Sequence, residues 1–180
     1  LDVHLTKDGQ LILIHDHGLR RTTNIAQSPG MPPRRQQVVN QVTLAQVKSL
    51  DAGTWFARRD PFGTVAAGQS FIPQTELAQE KVPTLREALL WSRDKGLLGN
   101  IELIDMLGGD DQGLVQAVVQ CLQETKMLDQ VLVSSFRLLS LIYFYELCPS
   151  VPRALLLDKN SLHSSDDQIL TLLHQAQAQA

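Results

Sequence analysis

The sequence predicts an α/β protein built on a mainly parallel sheet. Short apolar, β-prone runs recur at Leu1–Leu5, Leu11–Ile14, Asn100–Ile104, Val131–Val133 and Ala154–Leu157. From residue 83 onward, segments with helical spacing separate those runs. A D-G pair, Asp8-Gly9, divides the first two runs and predicts that they fold back as a hairpin. Strand–helix alternation at this spacing means parallel strands joined by crossovers. A doubly wound sheet and a (β/α)8 barrel both satisfy the pattern. With about five strands, a barrel would be incomplete, because a whole one needs roughly 200–250 residues.

Each element has its own signal. Residues 20–42 are polar, with Pro29, Pro32, Pro33 and the pair Arg34-Arg35, and predict a long loop. Thr43-x-x-Gln46 is a capping-box spacing and opens a short helix to about Leu50. Residues 51–81 hold Gly53, Gly63, Gly68, Pro61 and Pro73 without a sustained period, which predicts a small insertion after the hairpin. A second capping box, Thr84-x-x-Glu87, starts a helix that Gly96 ends. Leu114, Val115, Val118, Val119 and Leu122 mark one face of the next helix. Leu138–Leu147 is a further helix, ended by Pro149, and Ser165-x-x-Gln168 caps a last one carrying Ile169, Leu170, Leu172 and Leu173. The whole chain, residues 1–180, is expected to form one domain.

Composition narrows the function. The 180 residues hold 16 Lys+Arg against 19 Asp+Glu, a net charge of −3, so nothing general favours nucleic acid or an anionic membrane. The hydrophobic share of 43% excludes a disordered chain. No run reaches the roughly 18–20 apolar residues of a membrane span; the longest, Leu138–Leu147, is interrupted by Ser140. Cys121 and Cys148 form neither a CxxC pair nor a zinc spacing and are expected to be buried free thiols. The chain opens on a strand without Met and closes in a Gln-Ala run, so both ends are expected to be cuts and localisation is left open.

The chemistry begins at the hairpin. A two-residue loop at Asp8-Gly9 would oppose Leu5 to Ile12 and Asp2 to His15, with His4 on the face of Asp2. A carboxylate beside an imidazole suits it to acid–base work, although on geometry alone a strand-end hydrogen bond without a catalytic role is the favoured explanation of the pair. Glu102 stands in Asn100–Ile104, where a doubly buried strand should be apolar. Such an acid is paired, protonated or bound to metal, and Asp2 with Glu102 offers the oxygen ligands that suit Mg²⁺ or Ca²⁺. Gly108-Gly109-Asp110-Asp111 lacks the spacing of an EF-hand loop and predicts a polar turn. Ser134 and Ser135 end a strand, where either hydroxyl could reach a ligand or cap the next helix.

These residues resemble the glycerophosphodiester phosphodiesterase family. Its stretch E-x-D-V-x-x-T-x-D-G-x-x-V-x-x-H-D-x-x-L-x-R-T-T is matched here from its third position by Asp2-Val3, Thr6, Asp8-Gly9, His15-Asp16, Leu19 and Arg21-Thr22-Thr23. Leu50–Phe56, Val82–Glu87, Asn100-Ile101-Glu102 and Ser134-Ser135-Phe136 follow in the family's order. The resemblance implies a (β/α)8 barrel with its site at the C-terminal strand ends. It also implies hydrolysis of a glycerophosphodiester, such as glycerophosphocholine, to sn-glycerol 3-phosphate and an alcohol. Asp2 and Glu102 become ligands of one divalent cation, Mg²⁺ or Ca²⁺, and His15 a catalytic acid–base. Arg21 and Ser135 are candidate substrate contacts, whereas His17 has no counterpart in the motif. Two expected residues, the first Glu of E-x-D and a further histidine, fall before Leu1, and the Lys usual two positions after the later Glu is Ile104. Two alternatives stay open: a phospholipase-D-like relative acting on lysophospholipids or sphingomyelin, which shares the same superfamily logic, and a barrel that binds phosphodiesters without turnover, which the Ile104 departure suggests.

Overall fold

A computed structural model describes residues 1–69, 72–104, 111–158 and Thr171. The expected last helix and most of the Gly108–Asp111 turn lie outside these residues. Five strands form one sheet in the order β2-β1-β3-β4-β5: β1 Asp2–Leu5, β2 Leu11–Leu13, β3 Gly99–Leu103, β4 Val131–Ser135 and β5 Arg153–Leu155. Only the hairpin pair β1–β2 is antiparallel; β1, β3, β4 and β5 run parallel. Helices Leu85–Asp94, Asp111–Thr125 and Leu138–Leu147 connect successive strands after the hairpin. Three shorter helices precede them, so α1 is Leu44–Ser49, α2 Thr54–Arg59, α3 Gln74–Leu77, and the three connectors are α4, α5 and α6.

Both capping boxes form as the sequence requires. The Thr43 hydroxyl accepts from the backbone N–H of Gln46, and the Thr84 hydroxyl from that of Glu87, each with the return bond to the cap backbone. The insertion at 51–81 is not structureless, since α2 and α3 lie within it.

The hairpin register differs from expectation by one residue. Val3 faces Leu13, His4 faces Ile12 and Leu5 faces Leu11. The turn is Lys7-Asp8-Gly9: Gly9 N–H donates to Thr6 O (3.0 Å), Thr6 N–H donates to Gln10 O (2.9 Å), and Gly9 sits at φ 75°. That is a type I turn closed by a left-handed glycine, a three-residue loop. Thr6 locks it, donating to Asp8 Oδ1 (2.6 Å) while accepting from Gln10 N–H (2.9 Å). Asp2 therefore pairs with Ile14, whose N–H donates to Asp2 O (3.0 Å), and not with His15.

The sheet separates two apolar clusters. Val3, Leu11, Ile101, Leu103 and Val133 pack with α4, α5 and α6. Ile12, Leu19, Ile25, Val39, Val47 and Leu50 form a second core beneath the loop that follows the hairpin. Burying this much apolar surface, at about 25 cal/mol per Å², fixes the long loop against the sheet despite its polar composition. Cys121 and Cys148 are free and buried. Among the described residues no helix is long and apolar enough to cross a membrane.

Candidate active site

A row of side chains crosses the sheet one residue short of its C-terminal rim. Asp2 is in register with Glu102, Glu102 with Ser134, and Ser134 with Ala154. The last three are the penultimate residues of β3, β4 and β5. Residues in register project from the same face. The carboxylate-bearing β1 and β3 are neighbours, so the sequence places Asp2 and Glu102 side by side, about one strand spacing (~4.8 Å) apart at the backbone.

Among the described residues neither carboxylate is engaged by a lysine or arginine side chain. Burial, and then the negative charge of Asp2, raise the pKa of Glu102 above the ordinary carboxylate range. Two adjacent carboxylates in that condition take up a proton or a cation. Their oxygens suit a hard divalent ion, so the donor set fits one. Among the described residues no group of three or more His, Cys, Asp or Glu is arranged to hold a metal. Ile104, two residues beyond Glu102 on the same face, is half-buried and adds only apolar surface.

His15 lies just past β2, with its side chain 76% exposed. Its charge acts favourably on Glu102. The sequence reading paired it with Asp2; the three-residue turn prevents that. Its carboxylate partner is Asp16, whose Oδ1 lies 3.0 Å from His15 Nδ1. Arg21 in turn donates to both oxygens of Asp16, from Nε at 2.5 Å and from Nη2 at 2.8 Å. The Arg21 guanidinium first, and His15 after it, hold the Asp16 carboxyl down at about 2. Asp16 was missed as a functional residue, although its position between His15 and Arg21 in the sequence was the available signal.

The remaining candidates separate. The Ser135 hydroxyl is fully buried, donating to Leu103 O (2.9 Å) and accepting from Arg137 N–H (3.1 Å). It ties β4 to the entry of α6, and it is Ser134, donating to Asn100 Oδ1 (2.9 Å), that shares the row with Glu102. Asp111 opens α5 and pairs with Arg137 at 2.7 Å. His4 is 1% exposed and packs edge-on against His17, with ring centroids 5.3 Å apart. Burial, reinforced by His17, pushes His4 down to about 4, so it is neutral near pH 7. His17, which has no counterpart in the motif, is thus a packing partner of His4.

With this geometry in view, comparison with known proteins is decisive. The model of the glycerophosphoryl diester phosphodiesterase family matches residues 1–180. The chain belongs to this family. It is 34% identical over 177 residues to a glycerophosphodiester phosphodiesterase of Bacillus subtilis, and 33% identical over 159 residues to one of Caldanaerobacter subterraneus. These alignments cover 94% and 87% of this chain but 53% of each relative, so the chain spans about half their length. A phosphodiesterase from Oleispira antarctica, solved in complex with the product sn-glycerol-3-phosphate, is similar with a TM-score of 0.73 at 27% identity, over 98% of this chain and 59% of that one. The five strands are accordingly part of the family's (β/α)8 barrel, and the row Asp2–Glu102–Ser134 lies at the end where such barrels carry their sites.

Proposed function

We propose that the protein hydrolyses glycerophosphodiesters to sn-glycerol 3-phosphate and an alcohol, with one divalent cation, Mg²⁺ or Ca²⁺, held by Asp2 and Glu102. The observation that carries this reading is the in-register pair Asp2–Glu102, which no lysine or arginine side chain engages among the described residues, together with the His15–Asp16–Arg21 chain just past β2. The product bound to the Oleispira relative is the one this reading requires.

The residues divide the work as follows. When bound, the cation neutralises the substrate phosphate and the charge that develops on it. His15 moves a proton at an oxygen of the phosphodiester or its attacking water. Water adds its hydroxyl to phosphorus, the P–O bond to the alcohol breaks, and the proton ends on the alcohol. Asp16 fixes the His15 ring through Nδ1, which leaves Nε2 free to face substrate. Arg21 keeps Asp16 ionised and in place.

Ile104 favours a second reading, a barrel that binds phosphodiesters without turnover, because the cation expected at that position is missing. One assay separates the two. The full-length protein is stripped of metal with chelator and given glycerophosphocholine, and release of sn-glycerol 3-phosphate is followed after adding Mg²⁺ or Ca²⁺. Metal-restored turnover that His15→Ala reduces by about 10²–10⁴-fold supports the enzyme. Substrate binding without turnover supports the binder.

A further inference from the structure

A second cavity, of about 420 Å³, adjoins the candidate active site. Arg20, Arg21, Arg58 and Arg59 line it, against the single carboxylate of Asp51. Four guanidinium groups and one carboxylate make its lining formally +3, within a chain whose net charge is −3. Asp51 is held at the start of α2, its Oδ1 accepting from the N–H groups of Gly53 (3.0 Å) and Thr54 (2.9 Å), and offsets one of the four positive charges. Arg20 is held by Gln37 Oε1 (2.8 Å) and Arg21 by Asp16. Arg58 and Arg59 are exposed, and among the described residues no carboxylate engages them.

The cavity borders the one that contains His15. Arg21 and Trp55 line both it and the neighbouring cavity that contains His15. Trp55 is a fixed wall between them, its indole N–H donating to Ala52 O (2.9 Å). A substrate whose phosphodiester lies at His15 has this cationic chamber on the far side of Arg21 and Trp55. The glycerol of a glycerophosphodiester carries no further charge, so a second anion must sit on the alcohol.

We propose that this chamber binds an anionic group on the alcohol of the substrate, so that glycerophosphodiesters with a phosphorylated alcohol are preferred over those with a quaternary ammonium. Guanidinium groups present planar, weakly hydrated forks that match phosphate oxygens in pairs. The competing structural role, Arg58 and Arg59 as cations in the last turn of α2, accounts for their place on the helix but implies no substrate preference.

The proposal rests on the function proposed above, and the experiment keeps the two apart. kcat/KM of the full-length protein is measured for glycerophosphoinositol 4-phosphate and for glycerophosphocholine, in wild type and in R58A/R59A. The ratio of the two values should fall at least tenfold in the variant, through KM, and R58K/R59K should recover part of it. Raised ionic strength should lower the wild-type ratio too. A ratio unchanged within twofold overturns the proposal. If wild type turns over neither compound, the phosphodiesterase reading fails, and calorimetric titration with glycerophosphoinositol 4-phosphate decides the chamber alone. Affinity lost tenfold in R58A/R59A upholds it; equal affinity overturns it.

Discussion

Replacing Asp16 by Asn tests whether the chain Arg21–Asp16–His15 serves catalysis. The change keeps the shape of the side chain and removes its charge. A hydrogen bond to a charged group contributes about 1.5–3 kcal/mol. Here the His15 side chain is 76% exposed and that of Asp16 30%, so solvent screening places the effect at the lower end, about 1.5 kcal/mol. At 1.36 kcal/mol per factor of ten, turnover should fall roughly tenfold. That is far less than the ~10⁴-fold cost of the same change where the carboxylate is buried beneath its histidine. Steady-state release of sn-glycerol 3-phosphate from glycerophosphocholine gives kcat and KM separately, and the loss should lie in kcat. The ¹⁵N shifts of the His15 ring should show its tautomers becoming mixed. A variant with wild-type kcat, or one whose only defect is a lowered melting temperature, would refute the reasoning and leave Asp16 as a tether for the loop after β2.

Three further outcomes follow from the same geometry. Glu102→Gln removes a carboxylate whose ionisation burial and Asp2 oppose, so the protein should hold Ca²⁺ or Mg²⁺ more weakly while melting no lower without metal; calorimetry in the two states checks both. Asp16, held at about 2 in the folded chain against 3.8 ordinarily, contributes stability above pH 4 that disappears as the pH falls from about 4 to 2. Denaturant midpoints of wild type and Asp16→Asn should therefore converge over that interval, and parallel curves would contradict the Arg21 contact. Ile104→Lys places an ammonium group beside the acidic pair and should raise turnover of glycerophosphocholine; unchanged kinetics would make the position core packing only.

Much of the fold was legible because its signals are local. Thr43 with Gln46 and Thr84 with Glu87 need only three residues of spacing to declare a helix start, and both boxes form. The helix Leu138–Leu147 has the bounds its apolar run indicates. The candidate site was legible in its members more than in its pairings. Glu102 stood out as an acid in an apolar strand, and its neighbour proved to be Asp2, 100 residues away in sequence, through a strand order that no local pattern specifies. His15 was found, yet assigned the wrong carboxylate, because the turn type was undetermined: Asp8-Gly9 serves a two-residue loop and a three-residue loop alike. The choice was made by the Thr6 hydroxyl, which bonds both Asp8 and Gln10.

That one-residue difference also explains why the acidic pair is left unpartnered. Under a two-residue loop, His15 would have stood opposite Asp2 and engaged it directly. With the longer turn, β2 ends at Leu13, and His15 passes beyond the ladder to Asp16. Asp2 then has only Glu102 as a charged neighbour on its row, and Ile104 supplies no cation on that face. The result is a histidine held by its own carboxylate, and two acids that no lysine or arginine side chain engages among the described residues. Acid–base chemistry and charge stabilisation of a phosphate need those two functions separate, since a histidine spent on pairing with Asp2 could neither transfer a proton nor leave that carboxylate free for a cation.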